Sequence, residues 1–312
     1  MSAHILDIII PVFLLIAAGA GAAKLGWLPE VAIDGMMGFA LKFAAPSLLF
    51  LSVSRLDISS AFQWPLMASF YLSAALSFFL ALLLARLLFK RRPGEAVAVA
   101  FGALFSNALI LGFPISERAY GVDSLATNVA LVSIHAPFCY LLGITAMELS
   151  RADKQAFHKT ARTILTLMFR NPLMIGIALG FAVNLSGITL PSSALSAIEM
   201  LARTTLPVAL FGIGGVLTRY SLGASLPQAG MVSMLSLLVH PLMVYLLATR
   251  VFFLEPQVMR SAVLTAAMAP GANAFLFASM YNRGKGVAAS AILLATSMSV
   301  FTISGWIWFL GP

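Results

Sequence analysis

Apolar positions in this chain form neither an alternation nor a narrow helical stripe. They come as long runs, parted by short breaks that collect most of the charges and turn residues. Each run is roughly 18 to 25 residues, enough for a helix to cross about 30 Å of hydrocarbon. Set against their breaks, the runs predict ten spans. Approximate limits are 5–23, 35–54, 64–89, 96–116, 124–148, 168–187, 192–217, 229–253, 259–281 and 286–309. The pattern therefore predicts an all-α polytopic membrane protein. Its longest connection, about 149–167, carries no sign of a soluble domain.

Composition supports this. Only 10% of residues are charged and 61% are hydrophobic, whereas soluble domains carry about 25% charged residues. A net charge of +8 invites a nucleic-acid reading, but the basic residues lie between apolar runs and not in one patch. With the amino terminus outside, thirteen Lys and Arg fall on the inner side and four on the outer. That bias predicts a cytoplasmic-membrane protein with both termini extracytoplasmic, the bilayer as its partner and no nucleic acid. The first run has no basic residue ahead of it, so it reads as a span and not as a signal peptide. Cys139 is the single cysteine, which leaves no disulfide framework and no thiolate metal cluster.

The halves resemble each other at an offset of 161. Pro11, Ile16, Ala17, Gly19 and Gly26 fall on Pro172, Ile177, Ala178, Gly180 and Gly187. "KFAAPSLLF" (42–50) lies over "RTTLPVALF" (203–211), pairing Lys42 with Arg203 and Pro46 with Pro207, and Tyr120 falls on Tyr281. The expected organisation is a first five-helix repeat over 1–150, a short cytoplasmic connection over 151–167 and a second repeat over 168–312. Five is odd, so the second repeat must enter the membrane from the opposite face, an arrangement found in secondary transporters.

Two spans carry residues that lipid-bound helices avoid. The fourth contains "SNALILGFP" (106–114) and the ninth "APGANAFLFA" (269–278). Proline donates no backbone hydrogen bond, and asparagine is costly to bury without a partner. Freed backbone groups are tolerable at membrane depth only where they line a cavity or a crossing. The spacing predicts discontinuous helices four and nine that cross near the midplane and hold a solute. Asn107, Gly112, Pro114, Pro270, Gly271 and Asn273 are the candidate substrate-binding residues. A lone asparagine reads as interhelical glue, but two in matched broken spans favour substrate or crossing contact. The prolines make the breaks, the glycines allow backbones to approach, and half-helix N-termini would offer N–H groups to a carboxylate.

With those residues on the page, the chain resembles the auxin efflux carrier family, which includes bacterial malonate-type permeases and the plant PIN carriers. "NALILGFP" (107–114) follows the family's N-x-L-x-x-G-x-P pattern. "PGANAF" (270–275), "KFAAPSLLF" and the Tyr120–Gly121 pair also match family segments. The resemblance implies a ten-helix elevator-type carrier of small organic anions, with helices four and nine crossing in a transport domain. Helices one, two, six and seven would form the scaffold, and the family suggests a homodimer. The family's crossing asparagine carries onto Asn107. No cofactor or metal is implied, and a coupling ion would be a proton or sodium.

Lys42 and Arg203 are the basic residues inside spans, each four residues before a proline and expected about two turns from the cytoplasmic end. Snorkelling to the interface is the ordinary reading, and attraction of the anion is the alternative. Glu199 stands one turn before Arg203 and is expected to pair with it. His135 and His240 read first as buried neutral rings bonded to carbonyls, with a proton relay as the alternative. An enzyme finds no G-x-S-x-G, H-E-x-x-H or Asp-rich box. A channel fits an inverted repeat less well than alternating access does. A sodium-coupled organic anion symporter of the bile-acid carrier type is the nearest alternative within transport.

Overall fold

An apolar chain in lipid must bond its backbone within itself, and helices do this segment by segment. The computed structural model describes residues 2–150, 166, 170–223 and 225–311. Apart from Thr166, the connection expected over 151–167 lies outside the described residues, as do the first two residues of the sixth span. The described helices are α1 (Ser2–Lys24), α2 (Glu30–Ser54), α3 (Trp64–Leu87), α4 (Pro93–Leu104), α5 (Phe113–Tyr120) and α6 (Ser124–Leu149). They continue as α7 (Pro172–Ser186), α8 (Ser192–Leu217), α9 (Leu226–Arg250), α10 (Pro256–Ala266), α11 (Ala272–Met280) and α12 (Lys285–Leu310). Seven of them (α1, α2, α3, α6, α8, α9 and α12) are long and apolar enough to cross a membrane, while α4 and α7 are shorter apolar helices. Among the described residues there is no strand, only one isolated bridge between Ser106 and Pro270. The protein is all-helical and multi-pass.

Proline decides where the helices deviate. Among the described residues three π-turns occur, at Ala40–Ala44, Ala108–Gly112 and Leu235–Val239. Each ends two residues before a proline: Pro46, Pro114 and Pro241. A helical proline strands the carbonyl four residues earlier and its ring collides with that carbonyl. Widening the preceding turn relieves the collision, and π-bulges of this kind frequently lie at functional sites. Two stranded carbonyls have recruited side chains. Pro241 strands Leu237, whose carbonyl accepts from the Trp306 indole at 2.9 Å. Pro11 strands Asp7, whose carbonyl accepts from the Arg118 guanidinium at 2.6 Å, with Ile8 accepting from the same side chain at 3.0 Å.

The chain divides into two units, and neither is a sequence half. The first comprises Met1–Ile9, Phe62–Ile164 and Tyr220–Pro312, and so holds α3–α6 and α9–α12. Its interior is aromatic and aliphatic, with Phe70, Phe78, Phe101, Phe113 and Phe277 fully buried. It also buries polar groups, several of them paired as low-dielectric burial favours. Asn128 donates to Ser116 at 3.0 Å and accepts from Thr265 at 2.8 Å, joining α5, α6 and α10.

The second unit comprises Ile10–Ala61 and Leu165–Arg219, and so holds α2, α7, α8 and most of α1. Glycine lets its backbones touch. A Cβ on Gly19 would stand 1.9 Å from the Phe211 carbonyl oxygen, and one on Gly180 would stand 2.9 Å from that of Phe50. The offset of 161 turns Gly19 into Gly180 and Phe50 into Phe211, so it exchanges these two contacts. Asn184 caps the end of α2, its amide donating to the Val53, Ser54 and Leu56 carbonyls at 2.8–3.1 Å.

Candidate functional site

The two breaks meet within the first unit. α4 stops at Leu104, because Phe105 turns extended (φ −97, ψ 95) and Asn107 takes φ −79, ψ 56, near the inverse γ-turn minimum. α10 stops at Ala266, and the chain runs through Pro270 to Gly271, which is extended (φ −85, ψ 174). The stretches lie antiparallel. Asn107 N–H donates to the Ala269 carbonyl at 2.9 Å, and Gly271 N–H donates to the Phe105 carbonyl at 3.4 Å. Thus each break satisfies part of the backbone that the other has freed, as non-helical chain at this depth requires. The Leu104 carbonyl, at the end of α4, lies 3.9 Å from the Cys139 thiol.

The half-helices exchange partners across the crossing. α4 packs on α11, and α5 packs on α10. Phe101 of α4 stacks flat on Phe277 of α11, ring centroids 3.9 Å apart and planes 5° from parallel. Gly143 on α6 makes room for the pair, since a Cβ there would stand 2.5 Å from the Phe101 ring.

Burial along this region is uneven at one informative place. From Ala96 to Ser116, every residue is buried except Asn107. From Ser261 to Gly271 every residue is buried, then Ala272 is exposed and Asn273 partly so. The crossing therefore opens at its two asparagines. Asn107's side chain makes no hydrogen bond among the described residues, and its backbone carbonyl accepts from Leu111 and Gly112, both at 3.2 Å. Asn273 accepts at Oδ1 from the Tyr140 hydroxyl at 3.1 Å. That bond engages Oδ1 and leaves the Nδ2 donors without a partner among the described residues. Free amide donors beside half-helix N-termini suit a carboxylate.

Pro114 follows the π-turn and opens α5, while Pro270 forms the bridge with Ser106. The glycines prove less constrained than the sequence suggests. A Cβ on Gly271 would stand 3.4 Å from Asn107 Cβ, and one on Gly112 would stand 3.6 Å from Met268 Cγ, both ordinary contacts. Tyr140 and Ser106 were not among the sequence candidates. A tyrosine in an apolar run signals a hydroxyl that needs a partner, but only the fold shows that the partner is Asn273.

Lys42 and Arg203 are not brought together. Lys42 is exposed in the π-turn of α2. Arg203 shares an open cavity of about 300 Å³ with Leu48, Leu51, Arg55, Glu199, Ala202 and Leu206. Arg55 follows the end of α2, roughly 20 Å along the helix from Lys42. Lys42 and Arg203 therefore stand well apart along the helices and do not form one cationic cluster. Glu199 forms its ion pair with Arg55, at 2.5 Å, while Arg203 acts on it as a more distant charge. Approach of α2 to α8 wins over the local one-turn spacing.

Bilayer-length apolar helices around a polar crossing of two interrupted ones define an integral multi-pass membrane transporter. The chain belongs to the family described as membrane transport protein, the auxin efflux carrier family, whose model matches residues 4–307. It is 26% identical to the "Putative malonate transporter" of Rhizobium meliloti (strain 1021), over 99% of this chain and 96% of the relative. Two archaeal proteins described as uncharacterized transporters are also similar. That of Methanocaldococcus jannaschii is 24% identical, with 98% of each chain covered. That of Methanothermobacter thermautotrophicus is 25% identical, with 96% of each chain covered. The family and these relatives are described as transporters, not as enzymes.

Proposed function

We propose that the protein is a secondary transporter that carries a small organic anion, a mono- or dicarboxylate, across the cytoplasmic membrane by elevator-type alternating access. In this reading residues 1–150 and 168–312 are inverted five-helix repeats joined by a cytoplasmic connection, with both termini extracytoplasmic. The unit that holds the crossing is the carrier body, and the glycine-knit unit is the scaffold. Asn107 and Asn273 donate to the carboxylate, the half-helix N-termini add positive dipole ends, and Gly112, Pro114, Pro270 and Gly271 shape the breaks. Lys42 and Arg203 offer positive charge on the anion's path at opposite ends of its journey.

One observation carries the reading. In a buried stretch of over twenty residues, the chain opens only at an unpartnered asparagine, where two interrupted helices are bonded backbone to backbone. The exchange of the Gly19–Phe211 and Gly180–Phe50 contacts by one offset supports a pseudo-two-fold relation between the halves. A relative described as a malonate transporter suggests the first probe. Purified protein in liposomes should take up radiolabelled malonate, with counterflow against unlabelled malonate inside. Absence of counterflow with malonate and with a panel of other carboxylates would sink the proposal.

A further inference from the structure

Beside the crossing lies a buried pair of histidines that anion binding alone does not employ. His135 on α6 is 4% exposed and His240 on α9 is 1% exposed. His135 Nε2 lies 3.4 Å from the Ser106 hydroxyl, and its Nδ1 lies 3.8 Å from the Cys139 thiol. The Ser106 backbone also reaches the His135 ring, so both main chain and side chain of that one residue tie the imidazole to the break. His240 Nε2 has no partner among the described residues. Phe70 packs edge-on against both imidazoles, with centroid distances of 5.8 Å and 5.3 Å.

Ser106 joins this pair to the opening. It is the bridge residue of the fourth-span break, and its neighbour Asn107 is the accessible one. We propose that His135 is the coupling group of the carrier, taking up a proton through the Ser106 hydroxyl when the anion binds and releasing it when the anion leaves. The step balances. A water proton arriving at the opening binds Ser106 Oγ while the hydroxyl's own proton passes to His135 Nε2, and the reverse sequence discharges it.

Electrostatics links the two events. Around His135 stand Phe70 and Tyr71 of α3, Phe105 and Ser106 of the break, Cys139 of its own helix and His240 of α9. None of these supplies a negative charge. An imidazolium here would be a buried charge without a partner, which proteins avoid at a cost of several kcal/mol. A carboxylate at Asn107 supplies the missing counter-charge, so proton and anion favour each other's binding by the same factor. The neighbouring His240 would repel a second proton, which limits the load to one.

This inference rests on the anion-carrier reading, and the test separates the two. In liposomes holding the purified full chain, an inside-alkaline pH gradient should raise malonate accumulation several-fold, and a protonophore should cancel the rise. His135→Gln should bind malonate more weakly, show counterflow only at raised malonate concentration, and lose the response to the gradient. In weakly buffered detergent solution, malonate should draw about one proton per protein from a pH dye in the wild type and none in His135→Gln. Ser106→Ala, which keeps the bridge but removes the hydroxyl, should also lose the gradient response. Counterflow that is present but indifferent to the gradient overturns this inference alone, as does an unchanged gradient response in His135→Gln. A wild type without counterflow overturns the carrier reading and this inference with it.

Discussion

The two interrupted segments are built from the same kit and use it differently. In the fourth, the asparagine stands within the break and the proline follows it, with a π-turn between them. In the ninth, the proline comes first, then the glycine, and the asparagine falls in the first turn of α11. Order decides what each asparagine can do. Asn107 gives its backbone to the crossing and keeps its whole amide free. Asn273 has regular helical backbone, and Tyr140 fixes which way its amide faces. One break thus exposes an adaptable group and the other an oriented one. A pocket for an anion of two carboxylates can use both, because one end is gripped firmly while the other is fitted.

Substitutions can break that comparison, and the asparagines should show the largest effect. Asn107→Ala should cut the initial rate of malonate uptake about 100-fold at low concentration, since hydrogen bonds to charged groups are worth about 1.5–3 kcal/mol each. Asn273→Ala, which removes donors of one orientation, should cost about 10-fold. Detergent-solubilised yield and size-exclusion profile should be unchanged in both. Equal loss at the two positions would show that the breaks are equivalent after all.

Next in size is Gly143→Ala, which drives a methyl into the ring pair that ties α4 to α11. Overpacking of this kind costs about 1–3 kcal/mol, read as a fall of several degrees in the melting temperature of the purified protein. Tyr140→Phe should be milder. The amide of Asn273 then becomes free to flip, and KM for malonate should rise about three- to ten-fold while the maximal rate holds. The smallest effects belong to Gly112→Ala and Gly271→Ala. Their added methyls meet only ordinary contacts, so uptake should stay within about two-fold and stability within about 1 kcal/mol of the wild type. Loss of transport in either would show that the glycines serve motion, which no contact in one conformation reveals.

Much of this was legible in the sequence because membrane depth turns hydropathy into geometry. The run read as 192–217 is α8 to the residue, and the Asn, Gly and Pro clusters mark the stretches where regular bonding stops. Span two begins earlier than its apolar run, at Glu30, because a polar helical turn can stand in the interface ahead of the hydrocarbon. Hidden from sequence were the choices made across space. Local spacing proposes Arg203 for Glu199, yet packing delivers Arg55. Nothing in the order of residues joins Trp306 to Leu237, Arg118 to Asp7 or Ser106 to His135. In the first two cases a carbonyl stranded by proline took whichever donor the tertiary fold brought within reach.

The two bonds that fasten the crossing run from main chain to main chain, Asn107 to Ala269 and Gly271 to Phe105. Short of proline, which has no N–H, no exchange of one side chain for another deletes them, so an alanine scan would leave both bonds in place. Only editing the backbone itself, by placing an ester oxygen where the Asn107 amide nitrogen now stands, would weaken the joint while sparing every neighbour. The side chains at Ala269 and Phe105 are constrained by burial and packing, whereas the bond itself asks of them only a carbonyl that any residue carries.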